Sequence, residues 1–324
     1  MKKLDEAEII KKFQSMFGAK EFVAEDVESF SAGKTQVIVK VDTLVESTDI
    51  PPKMSLKDAA RKSIVACVSD FASKGVKPEF GIISVNLPAK VSAKEISDIA
   101  KGVRQASKEF GIRFLGGDTN QGREFVFNVC LFGFAKKFSN RKGAKPGDLI
   151  FASGPFGLTG AGLQILLKKI KANDSFAKSA IKSVLRPSPR LDFGLKASAY
   201  FTSSMDSSDG LSTTLNEMAR QSKCRFILDN IPARKGVEQF AKKYKKNFES
   251  LVYHTGEEYQ IIFTSPKKYK SKITSIARTT RTPIIQIGSV TKGNGVYIQN
   301  DKLTKLADKG YHHFKKIKTK KKVN

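Results

Sequence analysis

Apolar and polar positions alternate with two different periods along the chain, and the changes of period mark out its elements. Leu4, Ile9, Phe13 and Phe17 lie near helical spacing and predict a short amphipathic helix whose apolar side packs on the body of the protein. Residues 35–41, Thr-Gln-Val-Ile-Val-Lys-Val, are rich in β-branched side chains and follow an Ala-Gly-Lys turn, so they predict a strand that stops at Asp42. A helical pattern runs from 56 to about 72, a strand pattern from 80 to 87, and a second helical pattern from 92 to 110 that Gly111 ends. Strands are predicted again at 112–115 and 125–134.

The turn formers of 141–148, Arg-Lys-Gly-Ala-Lys-Pro-Gly-Asp, then interrupt the pattern, and a domain boundary is placed there. Residues 1–140 form one predicted domain and residues 141–314 the second. The second opens with a strand at 149–152 and a helix from about Thr159. Further strands are expected around 225–228, 260–263, 283–287 and 296–298. The last stretch, 315–324, is a lysine-rich segment predicted to be a solvated tail.

The chain has 324 residues, of which 40% are hydrophobic and 27% charged, so a large core is available and wholesale disorder is a poor fit. What changes the picture is the net charge of +27, which draws polyanions: nucleic acid, nucleotides or phosphorylated metabolites. Cys67, Cys130 and Cys224 are far apart and form no CxxC pair, which suits reduced thiols in a cytoplasm. Neither a signal-peptide pattern at the N-terminus nor an apolar run of membrane-spanning length is seen, so a soluble, unexported protein is expected.

In so basic a chain the acids are informative. Asp42, Asp70, Asp118 and, less cleanly, Asp206 and Asp209 each close an apolar or strand-like run, and a carboxylate at a strand end projects into the loop crevice where α/β folds bind ligands. Taken singly each could be a turn acid or a helix cap. Taken together they predict a cluster whose mutual repulsion calls for a hard divalent cation with oxygen ligands, such as Mg²⁺. Acids at such positions favour a metal–phosphate ligand over bare nucleic acid. Ser153-Gly-Pro-Phe-Gly157 follows a strand but lacks both P-loop and dinucleotide spacing, and no nucleophile elbow or Cys/His pair supports covalent catalysis.

Seven motifs occur in one order: Asp42-Thr-Leu-Val-Glu46, Val68-Ser-Asp-Phe-Ala-Ser-Lys-Gly-Val-Lys-Pro78, Gly116-Gly-Asp-Thr119, Pro146-Gly-Asp148, Arg186-Pro-Ser-Pro-Arg190, Asp206-Ser-Ser-Asp-Gly-Leu211 and Gly256-Glu-Glu-Tyr259. As a set they resemble the thiamine-monophosphate kinases of the aminoimidazole ribonucleotide synthetase-like superfamily, over nearly the whole chain. The resemblance implies an α+β fold: an N-terminal mixed domain whose sheet pairs across a homodimer, followed by a C-terminal α/β domain. It implies ATP as co-substrate, Mg²⁺ as cofactor and thiamine monophosphate as acceptor. Carried onto matching positions, Asp26, Asp42, Asp70, Asp118, Asp206 and Asp209 would be metal ligands, with Asp42, Asp70, Asp118 and Asp209 closest to the chemistry. Gly117, Asp118, Arg141 and Ser208 would contact ATP; Glu257 and Tyr311 would contact the acceptor.

The chain departs from the family pattern in places. Lys40 and Val41 stand where hydroxyl residues often precede the first motif, which removes side-chain metal contacts there. Asp49 replaces a substrate-contacting His, and Glu258 replaces the Asp of Gly-Glu-Asp-Tyr. Related synthetases and maturation factors of the superfamily share the acids. They characteristically carry a reactive cysteine near one terminus, and this chain has none before Cys67 and ends in Val323-Asn324. A nucleic-acid-binding protein is the more distant reading, and the spread of basic residues without interleaved aromatics counts against it.

Overall fold

The computed structural model describes residues 4, 6–17 and 24–314, so the lysine-rich tail lies outside the described residues. The first half comprises α1 (Glu6–Met16), β1 (Glu28–Ala32), β2 (Thr35–Val45), α2 (Glu46–Asp49), α3 (Leu56–Lys74), β3 (Pro78–Pro88), α4 (Ala93–Phe110), β4 (Arg113–Gly122) and β5 (Val126–Ala135). Its five strands form a mixed sheet in the order β1-β2-β5-β3-β4, with only β3 and β4 parallel. The second half comprises β6 (Asp148–Ala152), α5 (Leu158–Leu167), α6 (Ser175–Leu185), α7 (Leu191–Ala197), β7 (Ser203–Ser207), α8 (Leu211–Ser222), β8 (Arg225–Leu228), α9 (Val237–Lys243), β9 (Gln260–Pro266), α10 (Lys270–Thr279), β10 (Ile285–Thr291), β11 (Gly295–Gln299) and β12 (Leu303–Lys305). A seven-stranded sheet runs β12-β11-β8-β10-β6-β9-β7.

Helix α3 joins the halves. Ser55 caps its start by accepting from the Asp58 N–H, and Gly75 ends it in the left-handed conformation. Between these caps it is buried nearly all round, against β2 and β5 on one side and against β7, β9 and α7 on the other. Rings from three segments close the core beyond it: Phe263 stacks on Phe201 at 4.1 Å and on Phe151 at 5.2 Å. Helix α4 starts in a Ser92–Glu95 capping box and stops at Gly111, as its sequence predicts.

Two strands extend past their predicted ends, and both corrections move an acid. Strand β2 continues to Val45, paired with β5 throughout, because Thr43 and Val45 sustain the ladder; Asp42 therefore sits inside a strand. Strand β4 runs through Gly116-Gly117-Asp118, which read as a turn. The register shifts beside Gly116, and Gly117 lies so close to the Ile83 carbonyl that a Cβ has no room. Asp70 lies in helix α3, so the strand-end context read for it is also wrong. The predicted packing of Phe13, in α1, and of Phe17, just after it, is not seen; both are exposed in this single chain.

The five-stranded sheet has two unlike faces. Ile38, Lys40, Asp42 and Leu44 of β2 point toward α3. The alternate residues of neighbouring strands, Val41, Cys130, Ile82, Phe80 and Phe134, form an open face on which Val41 is 60% and Phe134 is 43% exposed.

Candidate functional site

A cleft of about 760 Å³ lies between α3, β2, the β7–α8 turn and the 254–259 segment. Lys62, Ser69, Asp70 and Ser73 recur along α3 at helical spacing, with Ala66 among them, and form a polar ridge on that helix. Lys40 and Asp42 face this ridge from β2, and Asp206 reaches it from β7. Oxygens of Asp26, Asp70 and Asp206, all buried, lie within 4.8 Å of one another.

Such crowding shows in the proton affinities. Burial raises the Asp70 carboxyl well above the usual carboxylate range; Lys40 opposes this, while Asp206, Asp42 and Asp26 add to it. Burial and the neighbouring Asp26 push Asp206 up to about 7, against the pull of Lys40, the Ser69 hydroxyl and Arg141. Burial also raises Asp209, with Glu6 adding to it and the nearby histidines and Lys40 opposing. Asp26 behaves in the opposite way. Burial would raise it, but the ammonium of Lys74 at 2.9 Å and the guanidinium of Arg141 hold it below the usual range.

The donor set fits Mg²⁺: hard carboxylate oxygens of Asp26, Asp70 and Asp206 converge from the segment before β1, α3 and β7, and burial with mutual repulsion raises the proton affinity of Asp70 and Asp206. In this chain Lys40 supplies part of that charge. Its ammonium lies 2.9 Å from Asp70 and 3.4 Å from Asp42, in place of the hydroxyls the motif often carries.

The other end of the cleft is a knot of backbone. The Glu257 N–H donates to the Ser208 carbonyl (2.6 Å), Tyr259 N–H to Ser207 (3.0 Å) and Tyr311 N–H to Asp209 (2.9 Å), so two segments hang from one turn. Gly256 passes over Ser208 without space for a side chain, and Glu257 and Tyr259 both adopt positive φ, 65° and 50°, rare for such residues. The buried Lys62 pairs with Glu257 and donates to the Asp49 carbonyl at 2.9 Å. The Asp49 carboxylate accepts from the Val45 N–H at 2.7 Å and faces the cleft.

The structure thus gathers Asp42, Asp49, Asp70, Arg141, Asp206, Ser208, Asp209, Glu257 and Tyr311 around one cleft, with Asp26 directly behind it. Gly117 and Asp118 are not among its walls. Asp42 is in register with Val129, Ile83 and Gly117, whereas Asp118 is in register with Ser84, Asn128 and Thr43, on the open face of the sheet. Arg141 is turned toward Asp26 and its main-chain N–H toward Glu25. The sequence gives no role to Lys62 and Lys74, and marks Lys40 only as a loss of side-chain metal contacts, not as the partner of Asp70 and Asp42. Lys62 and Lys74 lie on helix α3 and Lys40 on strand β2, and only their burial, partial for Lys40, sets them apart from the other lysines of the chain.

Glu258 turns away from this cleft. Its Oε1 accepts from the N–H groups of Gly157 (2.7 Å) and Thr159 (3.2 Å) at the start of α5; burial raises its pKa to about 7 although these bonds lower it. The unfolded chain releases this proton near pH 4.5 and the folded chain near 7, so the associated stability is complete below 4.5 and lost as pH rises to 7. Glu258→Gln, which keeps the acceptor, is expected to match the wild-type melting temperature near pH 5 and exceed it at pH 8. A difference that does not change with pH would contradict this.

Residues 25–135 match the family described as AIR synthase related protein, N-terminal domain, and residues 145–301 match AIR synthase related protein, C-terminal domain. The class is therefore that of the AIR synthase related proteins, two mixed α/β domains around an acid-lined cleft. A thiamine-monophosphate kinase of Nitrosopumilus maritimus is 58% identical over 97% of this chain and 100% of its own, and that of Pyrococcus horikoshii is 31% identical over 97% and 98%. Among solved structures, AaThiL complexed with AMPPCP and TMP superposes with a TM-score of 0.86 at 27% identity, covering 97% of this chain and 98% of that one. Thiamine monophosphate kinase from Aquifex aeolicus gives 0.80 at 26%, covering 92% and 97%. The chain belongs to the thiamine-monophosphate kinase family.

Proposed function

We propose that this chain transfers the γ-phosphate of ATP to thiamine monophosphate, forming thiamine diphosphate and ADP. The observation that carries the reading is one cleft with a carboxylate cluster at one end and Glu257 and Tyr311 at the other, in a chain 58% identical to a thiamine-monophosphate kinase. Mg²⁺ held by Asp42, Asp70, Asp206 and Asp209, with Asp26 behind them, would neutralise charge on the transferring phosphates.

The remaining work falls to the chain. A phosphate monoester with its second pKa near 6 is largely dianionic at pH 7, so it attacks without a general base. Two polyanions must instead be held with reacting atoms about 3–3.5 Å apart. Lys40 and Arg141 place fixed positive charge at the acid end, and Lys62 holds Glu257 in its strained conformation at the acceptor end. Starting with γ-labelled ATP, the label is expected in the terminal phosphate of thiamine diphosphate, and labelled inorganic phosphate or labelled protein as the first product would contradict direct transfer. Glu257→Gln is expected to raise the KM for thiamine monophosphate about tenfold with kcat changed less, as loss of one charged contact to the acceptor. An unchanged KM would remove Glu257 from that role.

The working form is taken to be a homodimer built on the open face of the five-stranded sheet. Phe30, Val41, Ile82, Leu115 and Phe134 lie exposed on this sheet, and β4 is a ten-residue exposed edge strand, a liability unless covered. Dimerisation there would also bring Asp118, which points to that face, against the partner subunit. Phe134→Glu is expected to weaken self-association by about 100-fold or more, read by light scattering after size exclusion. A wild-type-like dimer in that variant would place the interface elsewhere. Residues 1–140 then serve as the dimerising ATP- and Mg²⁺-binding domain and 141–314 as its complement. A reducing cytoplasm suits the free Cys67, Cys130 and Cys224. None of the helices in the described residues is long and apolar enough to cross a membrane.

A further inference from the structure

On the far side of the 256–260 segment lies a second cavity of about 300 Å³, which shares no wall residue with the acid-lined cleft. The segment divides them by alternation: Glu257 and Tyr259 line the cleft, Glu258 and Gln260 the second cavity. Its walls carry Lys182, Arg186, Arg190 and Arg234, drawn from α6, the loop after it and the segment before α9. Ser179 and Ser183 add hydroxyls from the same face of α6.

Arg190 is the informative group. It is half-buried, its Nε donates to Gln260 at 3.0 Å, and among the described residues no carboxylate pairs with it. Burial alone lowers its proton affinity, with no acid to restore it. A guanidinium withdrawn from water without a counter-charge costs stability, and an incoming anion would remove that cost. Lys182 and Arg234 likewise have no ion-pair partner among the described residues. The single acid on the wall, Glu258, has its Oε1 committed to the start of α5.

This site is built in advance. Residues 186–190 read Arg-Pro-Ser-Pro-Arg, a motif to which the proposed phosphoryl transfer assigns no role. Two prolines stiffen the loop, Arg61 donates to the Pro187 carbonyl at 2.9 Å, and Arg186 pairs with Asp58 at 2.7 Å. A rigid loop that presents forked donors beside hydroxyls spends little entropy on ordering a tetrahedral oxyanion. We propose that this cavity is a second binding site, specific for a small molecule carrying phosphate, separate from the acid-lined cleft and independent of the reaction assigned to it.

The test is calorimetric titration of the full chain with inorganic diphosphate, without added Mg²⁺ and at physiological ionic strength. One saturable site is expected. Arg190→Gln is expected to weaken it by about tenfold or more, the worth of one charge-assisted hydrogen bond. Because Arg190 also touches Gln260, Lys182→Glu on the exposed rim provides a second variant that leaves the core untouched, and it is expected to weaken binding at least as much. Both are checked for an unchanged circular dichroism spectrum. Diphosphate binding that survives both substitutions, or weak non-saturating heats alike in all three proteins, would overturn the proposal and assign the effect to the general positive charge of the surface.

Discussion

Asp70→Asn is expected to lower kcat by about 10²–10³-fold, the scale on which removing one preorganised charged group from a phosphoryl-transfer site is felt. The same substitution is expected to leave the melting temperature unchanged or raise it. Asp70 is 5% exposed and crowded by Asp206, Asp42 and Asp26, which with burial push its carboxyl up, so an amide of the same shape relieves repulsion. Lys40 retains Asp42 as its partner at 3.4 Å. Loss of turnover without loss of stability is the mark of a residue kept for its charge in the reaction. Wild-type turnover at saturating ATP, thiamine monophosphate and Mg²⁺ would remove Asp70 from the metal set.

Lys74→Met is expected to cost about 3–5 kcal/mol of stability, because it breaks a buried ion pair and leaves its partners behind. The Lys74 ammonium is wholly buried and lies 2.9 Å from Glu25, from Asp26 and from the Ser204 carbonyl. It is the tie between the end of α3, the segment before β1 and β7. The dependence on pH follows from Asp26, whose folded pKa is depressed against the pull of burial. Such a group stabilises the fold above its unfolded pKa and loses that contribution as pH falls through the folded value. The deficit of Lys74→Met is therefore expected to be full at pH 7 and to shrink as the pH falls below about 4, where the unfolded aspartate takes its proton. Urea unfolding at pH 7 and pH 3.5 reads both, and a deficit that grows toward low pH would contradict the pairing.

Sequence and structure agree where a local signal fixes the outcome. Helix α4 is bounded by Ser92 and Gly111, and β8 by the ends of a β-branched and aromatic run, and both were readable from the chain. The ends of β2 and β4 were not, because Asp42 and Gly116-Gly117 look like punctuation and are overruled by pairing partners 80 or more residues away on β5 and by the neighbouring β3. For the same reason the acids were recognised as a set but in the wrong setting: Asp42 and Asp206 within strands, Asp70 on a helix, and Asp118 on the opposite face of the sheet from Asp42. One residue of register separates Gly117, toward α3, from Asp118, away from it, and periodicity alone does not carry that distinction across a glycine bulge. The cations Lys40, Lys62 and Lys74 were hidden by abundance, since among 58 basic residues only burial marks them out.

Turnover of the purified chain with ATP, Mg²⁺ and thiamine monophosphate, with nucleotide and thiamine species separated by chromatography, shows whether this cleft joins the two substrates. One ADP is expected for each thiamine diphosphate formed. ATP bound or hydrolysed with no thiamine diphosphate formed would contradict it.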